Sequence, residues 1–182
     1  MQFKAADKAG FTEIVTTDEC VKHLYLDIDA DTTLLATYIA AARRYVEKYC
    51  NVPLVTKTVT VHYDTFPNYK DKMFLPLITE ESNITSLSYI DEDNATQTIS
   101  TANIILANIP NPNYIIPKEE WPSAAKNIKI TYEATAYHEK SAYKSAVLLL
   151  VGHQFQNRDI IESKFENSLV NILKPLRLLY NV

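Results

Sequence analysis

Two glycines in a chain of 182 residues is very few. Close phosphate cradles and strained catalytic turns depend on glycine, so the Gly-rich-loop nucleotide enzymes are set aside at once. Basic runs are missing too, and the formal net charge is −4. Tight wrapping of nucleic acid by phosphate neutralisation is therefore not expected, although a protein of this charge can surround DNA without gripping it. The longest apolar run, Ala146–Val151, is far too short to span a bilayer. The N-terminal stretch MQFKAADKAG lacks the apolar segment of a signal peptide. Cys20 and Cys50 are the only cysteines, and both fall on apolar helix faces, as small reduced core residues do.

Metal and catalytic signatures are equally scarce. His23, His62, His138 and His153 lie on four different elements, with no helical ligand spacing and no cysteine pair to join them. Asp91, Glu92 and Asp93 lack the glycine and terminal glutamate of a calcium loop and fit a solvated hairpin tip. Ser141, Ser145, Ser163 and Ser168 have no nucleophile-elbow flanks. The pairs Glu80/Glu81 and Glu119/Glu120 sit in loops with no sign of the burial that raises a carboxyl pKa. No catalytic residue, cofactor site or metal site is expected.

What the chain does have is twelve tyrosines and two helical blocks flanking a Thr-rich alternating middle. Tyrosine suits half-buried faces and protein–protein interfaces alike. Residues 1–15 read as an arm, mobile or ordered by a partner. Thr16-Thr17-Asp18-Glu19 is a capping box that opens a short helix ending near Tyr25. A polar turn over Asp27–Asp31 follows, with Asp29 or Asp31 capping the next helix. That second helix, about 31–50, carries Leu34, Leu35, Tyr38, Ile39, Ala42, Tyr45, Val46 and Tyr49 at helical spacing. Asn51 and Pro53 stop it.

From Leu54 the period changes to two. Val59, Val61 and Tyr63 alternate with Thr and His, as in a half-buried strand. Further strands are expected at Met73–Leu77, Ile84–Ile90, Thr96–Ile99, Ile104–Ala107, Tyr114–Ile116 and across Ile128, Ile130 and Tyr132. The Asp91–Asn94 turn makes a hairpin of two of them, and Pro110 and Pro112 lie in a loop. A third helix, about 139–156, is apolar all round at its centre and must be covered on more than one side. Leu35, Ile39, Ala42, Val46, Ala146, Leu149 and Leu150 are expected to be buried.

The fold class is α+β: a small helical bundle with a β-rich insertion between the second and third helices. Residues 16–53 and 136–158 make the helical core, 54–135 the insertion, and 159–182 a C-terminal segment. The C-terminal segment is amphipathic and too short to stand as a lone helix. We expect Leu169, Ile172, Leu173, Leu176, Arg177 and Leu179 to dock on another protein rather than on their own core. Arg43, Arg44 and Lys48 form a basic spot on the second helix, either a solvated face or a subunit contact. Arg43, Arg44, Val147, Val151 and His153 are the candidate subunit-interface residues.

The order of these motifs resembles the bacteriophage head–tail connector, or head-completion adaptor, family. The resemblance rests on the Thr-capped helix Thr16 to Leu24, then on Leu34, Leu35, Ile39, Ala41, Ala42, Val46 and Glu47. It continues through the hairpin residues Tyr89, Ile90 and Asp91 and the pair Trp121-Pro122. Ala146, Leu150, Val151, His153, Asn157 and Arg158 follow, then Ile172, Leu173, Pro175 and Arg177. One departure is Thr135-Ala136-Tyr137, where the family often has a Gly-Tyr-Gly turn. The resemblance implies a structural virion protein of the head–tail neck, made in the host cytoplasm. It implies a homo-oligomeric ring, usually of twelve copies, between the portal protein and a stopper or tail-completion protein, around a channel for double-stranded DNA. It implies no membrane partner. Two rivals are a stopper-like neck component and a small cellular α+β ligand-binding domain or enzyme; the helix–sheet–helix order disfavours the first, and the lack of a convergent polar constellation disfavours the second.

Overall fold

The structure is a computed structural model. It describes residues 1–26, 32–68, 70–79, 81–106, 114–136, 141–157 and 163–178, the last with side chains from 168. The expected turn at Asp27–Asp31, the Pro110/Pro112 loop, His138, the helix start at Glu139, Arg158 and Leu179 lie outside the described residues.

In chain order the elements are strand β1 (Gln2–Asp7), helices α1 (Thr17–Leu24) and α2 (Thr32–Cys50), and strands β2 (Lys57–Tyr63), β3 (Met73–Phe74), β4 (Asn83–Ile90) and β5 (Thr96–Ile99). After a 3-10 turn come β6 (Ile104–Leu106), β7 (Tyr114–Pro117), β8 (Lys126–Ala134), α3 (Ser141–Gln156) and α4 (Ser163–Leu173). The class is α+β, with a β-rich region between α2 and α3. The chain divides into two compact units, one of strands and one of helices.

The strand unit comprises Met1–Phe11 and Thr56–Ala136. Its larger sheet runs β1-β2-β8-β4-β5, and a smaller one runs β3-β7-β6. Antiparallel register sets Val59 opposite Tyr132 and Val61 opposite Ile130. Leu87 on β4 faces Ile130 from the other side. The odd residues of β2 and the even residues of β8 thus share one face, and they are buried with Met73, Leu75, Ile104 and Ile115 of the smaller sheet and its flanks. Thr60, His62, Lys129 and Thr131 alternate onto the other face, as the period-two pattern requires. Pro76, expected inside a strand, lies just beyond β3, where its carbonyl accepts the Tyr132 hydroxyl. The Trp121 ring stacks on Phe66 at 4.8 Å, and its Nε1 donates to the Asp71 carbonyl at 2.9 Å. The N-terminal stretch, expected as an arm mobile or ordered by a partner, is instead a strand of the chain's own sheet: Gln2–Asp7 pair with β2 along their whole length. Lys57 donates to Asp7 at 2.5 Å and Lys8 to Glu133 at 2.8 Å, which ties down the strand's inner end.

The helical unit comprises Thr12–Val55 and the described part of Tyr137–Leu179. Thr16 Oγ1 accepts from the Glu19 amide, and the Glu19 carboxylate accepts from the Thr16 amide, closing the capping box that starts α1. The α2 stripe Leu35, Ile39, Ala42, Val46 and Cys50 is buried. It meets Tyr143, Ala146, Val147, Leu150 and Val151 of α3 in the core. Gly152 lets Leu24 of α1 close on α3; a Cβ there would sit 3.3 Å from Leu24 Cδ2. Asn51 takes the left-handed conformation (φ 57°) that ends α2 before Pro53.

Candidate assembly surfaces

Residues named in advance as contacts divide sharply by burial. Arg43 is 0% exposed, so it is no surface contact. Its Nε donates to Glu13 at 2.8 Å, and its NH1 donates to Glu47, one turn on, at 2.9 Å. Glu47 Oε1 in turn accepts from the Leu54 amide at 2.9 Å, past the end of α2. A buried guanidinium persists only with such partners, and here they tie the segment before α1 to the middle of α2 and to the chain just past its end. Arg44 and Lys48 are exposed on the next face.

Val147 and Val151 are also corrected as interface residues, since both are fully buried in their own bundle. His153 is half-buried on the last turn of α3. Leu149, expected in the core, is 41% exposed. The reason is angular: at 100° per residue it lies above Ser145 and Ala142, the exposed side of α3, while Leu150 points inward. The apolar centre of α3 is thus covered on one side and open along a line through Leu149.

The C-terminal segment docks on its own unit, contrary to expectation. Leu169 and Leu173 are buried in the helical core, with Leu176 and Leu178 packed against it. Tyr143 Oη donates to the Leu176 carbonyl at 2.8 Å, and the Leu178 amide donates to the Cys50 carbonyl at 2.9 Å. The amphipathic stripe needed a surface, and the α2–α3 pair supplies one. Ile172, 42% exposed, and Arg177 face outward from this segment.

Arg177 borders a hollow of about 390 Å³ lined by Tyr45, Lys48 and Tyr49 of α2. Its guanidinium lies 5.7 Å from the centre of the Tyr49 ring. In the strand unit a second hollow, about 380 Å³, is bordered by Glu119, Glu120 and Trp121. The β4–β5 hairpin ends in Asp91, Glu92 and Asp93, the last two exposed. Asp91 accepts from the Ala95 amide at 2.8 Å and from Gln97 Nε2 at 2.7 Å, and these bonds hold its carboxyl below the usual range. Asn94 makes the left-handed turn (φ 61°).

Titration elsewhere is structural. Burial pushes the Cys20 and Cys50 thiols up to about 11, so both stay protonated and unreactive near neutrality. Burial also raises Tyr63 to about 12, and its hydroxyl donates to the Phe74 carbonyl. Lys144 beside Glu19 lowers that carboxyl, helped by the Thr16 amide. Among the described residues no group of three or more His, Cys, Asp or Glu is placed to hold a metal ion, and no helix is long and apolar enough to cross a membrane.

The head completion protein family matches residues 13–166, and the chain belongs to that family. The family is a structural component of the virion neck, not an enzyme family. No curated protein matches the sequence. Among solved structures, the chain is similar to one from the neck of an empty gene transfer agent (GTA) particle computed with C6 symmetry. That likeness has a TM-score of 0.74 at 15% identity, over 98% of this chain and 97% of that one. A chain from the virion of a native GTA particle gives 0.72 at 15% identity, over 100% and 98%. One from the neck of a native GTA particle computed with C12 symmetry gives 0.67 at 16% identity, over 100% and 98%. At this identity the likeness establishes the fold.

Proposed function

We propose that this head completion protein is the head–tail connector of its particle, a ring-forming adaptor between the portal and the stopper or tail. The observation that carries the reading is the whole-length likeness to chains of a particle neck solved with C6 and C12 symmetry. Twelve copies fit both symmetries. Closed rings use two different patches on each subunit, and the chain offers several distinct exposed ones. Leu149 on α3 and Ile172 on α4 are apolar and exposed, and the outward face of the C-terminal segment, with Ile172, is the portal-facing candidate.

The channel of such a ring passes double-stranded DNA. A chain of net charge −4 with no basic run suits a conduit that does not grip its cargo. Co-sedimentation of the purified chain with portal rings tests the docking role. The expected result is saturable binding that Ile172→Asp weakens at least about tenfold, the scale of a desolvated anchor residue. Absence of any binding to portal rings contradicts the role.

A further inference from the structure

The hollow formed by Tyr45, Lys48, Tyr49 and Arg177 is built rather than incidental. Its floor is the last two turns of α2. Its rim is the chain after α4, pinned by buried Leu173, by the Leu178 amide on the Cys50 carbonyl, and by Asn51 Nδ2 donating to the Leu178 carbonyl at 3.2 Å. Two exposed cations, Lys48 and Arg177, line it together with two half-buried tyrosines, and Arg177 lies over the Tyr49 ring. Forked guanidinium and ammonium donors suit oxyanions, carboxylate and phosphate alike.

The chain carries its own matching ligand. Glu119 and Glu120 border a concave surface of their own. The β4–β5 hairpin tip is convex, and Asp91 is occupied in stiffening it through Ala95 and Gln97. Glu92 and Asp93 are left exposed at the apex, two carboxylates against two cations. A knob and a hollow on different parts of one chain are what a head-to-tail contact requires; a self-complementary patch would close a dimer instead.

We infer that the acidic β4–β5 hairpin tip of one copy seats in the Tyr45–Lys48–Tyr49–Arg177 hollow of the next, forming a lateral contact of the ring. This rests on the ring reading above. DNA phosphate is the rival occupant: Arg44, one turn from Lys48, adds a third exposed cation on that face, but the net charge of −4 disfavours it.

A charge-swap experiment on the full chain decides it, with assembly followed by native mass spectrometry over a concentration series at low and high salt. Lys48→Glu with Arg177→Glu, and separately Glu92→Lys with Asp93→Lys, each raise the assembly midpoint at least about tenfold through like-charge contact. The fourfold variant, with the charges exchanged, recovers assembly to within about threefold of the native chain, and high salt weakens the native contact. Lys48→Gln with Arg177→Gln gives a smaller loss in the same direction, and circular dichroism reports that each variant is folded. The inference is overturned if either reversed pair assembles like the native chain, or if the fourfold variant stays as weak as its parents while folded. It is also overturned if Lys48→Glu with Arg177→Glu abolishes binding of a short DNA duplex and leaves assembly intact. A native chain that stays monomeric even on portal rings instead removes the ring reading itself.

Discussion

Arg43 shows how far one side chain can be from its apparent role. A charged residue beside Arg44 on a helix reads as surface, because its partner Glu13 lies thirty positions earlier and beyond the reach of any local pattern. Removing the guanidinium takes the ion-pair partner away from the buried Glu47 carboxylate. Arg43→Met should therefore cost about 3–5 kcal/mol, read as a lower denaturant midpoint; a loss under about 1 kcal/mol would show that the network is slack. Leu149 and Leu150 make a second residue-scale test. Leu150, 1% exposed, should lose about 2–5 kcal/mol on truncation to alanine. Leu149→Ala should lose under about 1 kcal/mol, as a surface position does. Equal losses at the two positions would mean that α3 is rotated from the orientation described.

At the scale of elements, the parts governed by local chemistry were legible. The capping box, the α2 stripe, the Asn51 stop, the β4–β5 hairpin and the alternation of β2 and β8 all follow from spacing and turn residues. Strand β1 was not, because QFKAAD has no apolar alternation; five of its six residues are exposed, and pairing with β2 makes it a strand. The C-terminal helix was legible as amphipathic, but a stripe does not say which surface it meets. Since Leu169 and Leu173 complete the helical core, a chain ending at Arg158 should unfold or form a loosely packed state. Native-like near-UV circular dichroism and melting in that truncated chain would return the segment to a purely docking role. Capping can be read through pH. Glu19 has a folded pKa below its unfolded value, so its stabilisation is present above about pH 4.5 and lost as pH falls through the folded pKa. Its pair with Lys144 is over a third exposed on both sides, so we discount the effect for screening. Glu19→Gln should cost about 0.5–1 kcal/mol at neutral pH and almost nothing at pH 2; a cost that does not shrink with acid would point to packing rather than charge.

For the whole molecule, the bundle and the β-rich unit each have a core of their own. The family match sets the molecule among the head completion proteins, and the whole-length likeness to solved chains sets its fold. The head completion family was legible only as a resemblance of ordered motifs, since no motif of local chemistry in the sequence marks it. The central claim is that the chain works as a closed ring, and imaging of the full chain by electron microscopy, alone and added to portal rings, tests it most directly. The account predicts a ring of about twelve copies with an axial opening wide enough for a DNA duplex, about 20 Å across, formed alone or templated by the portal. Monomers or twofold dimers under both conditions would contradict it.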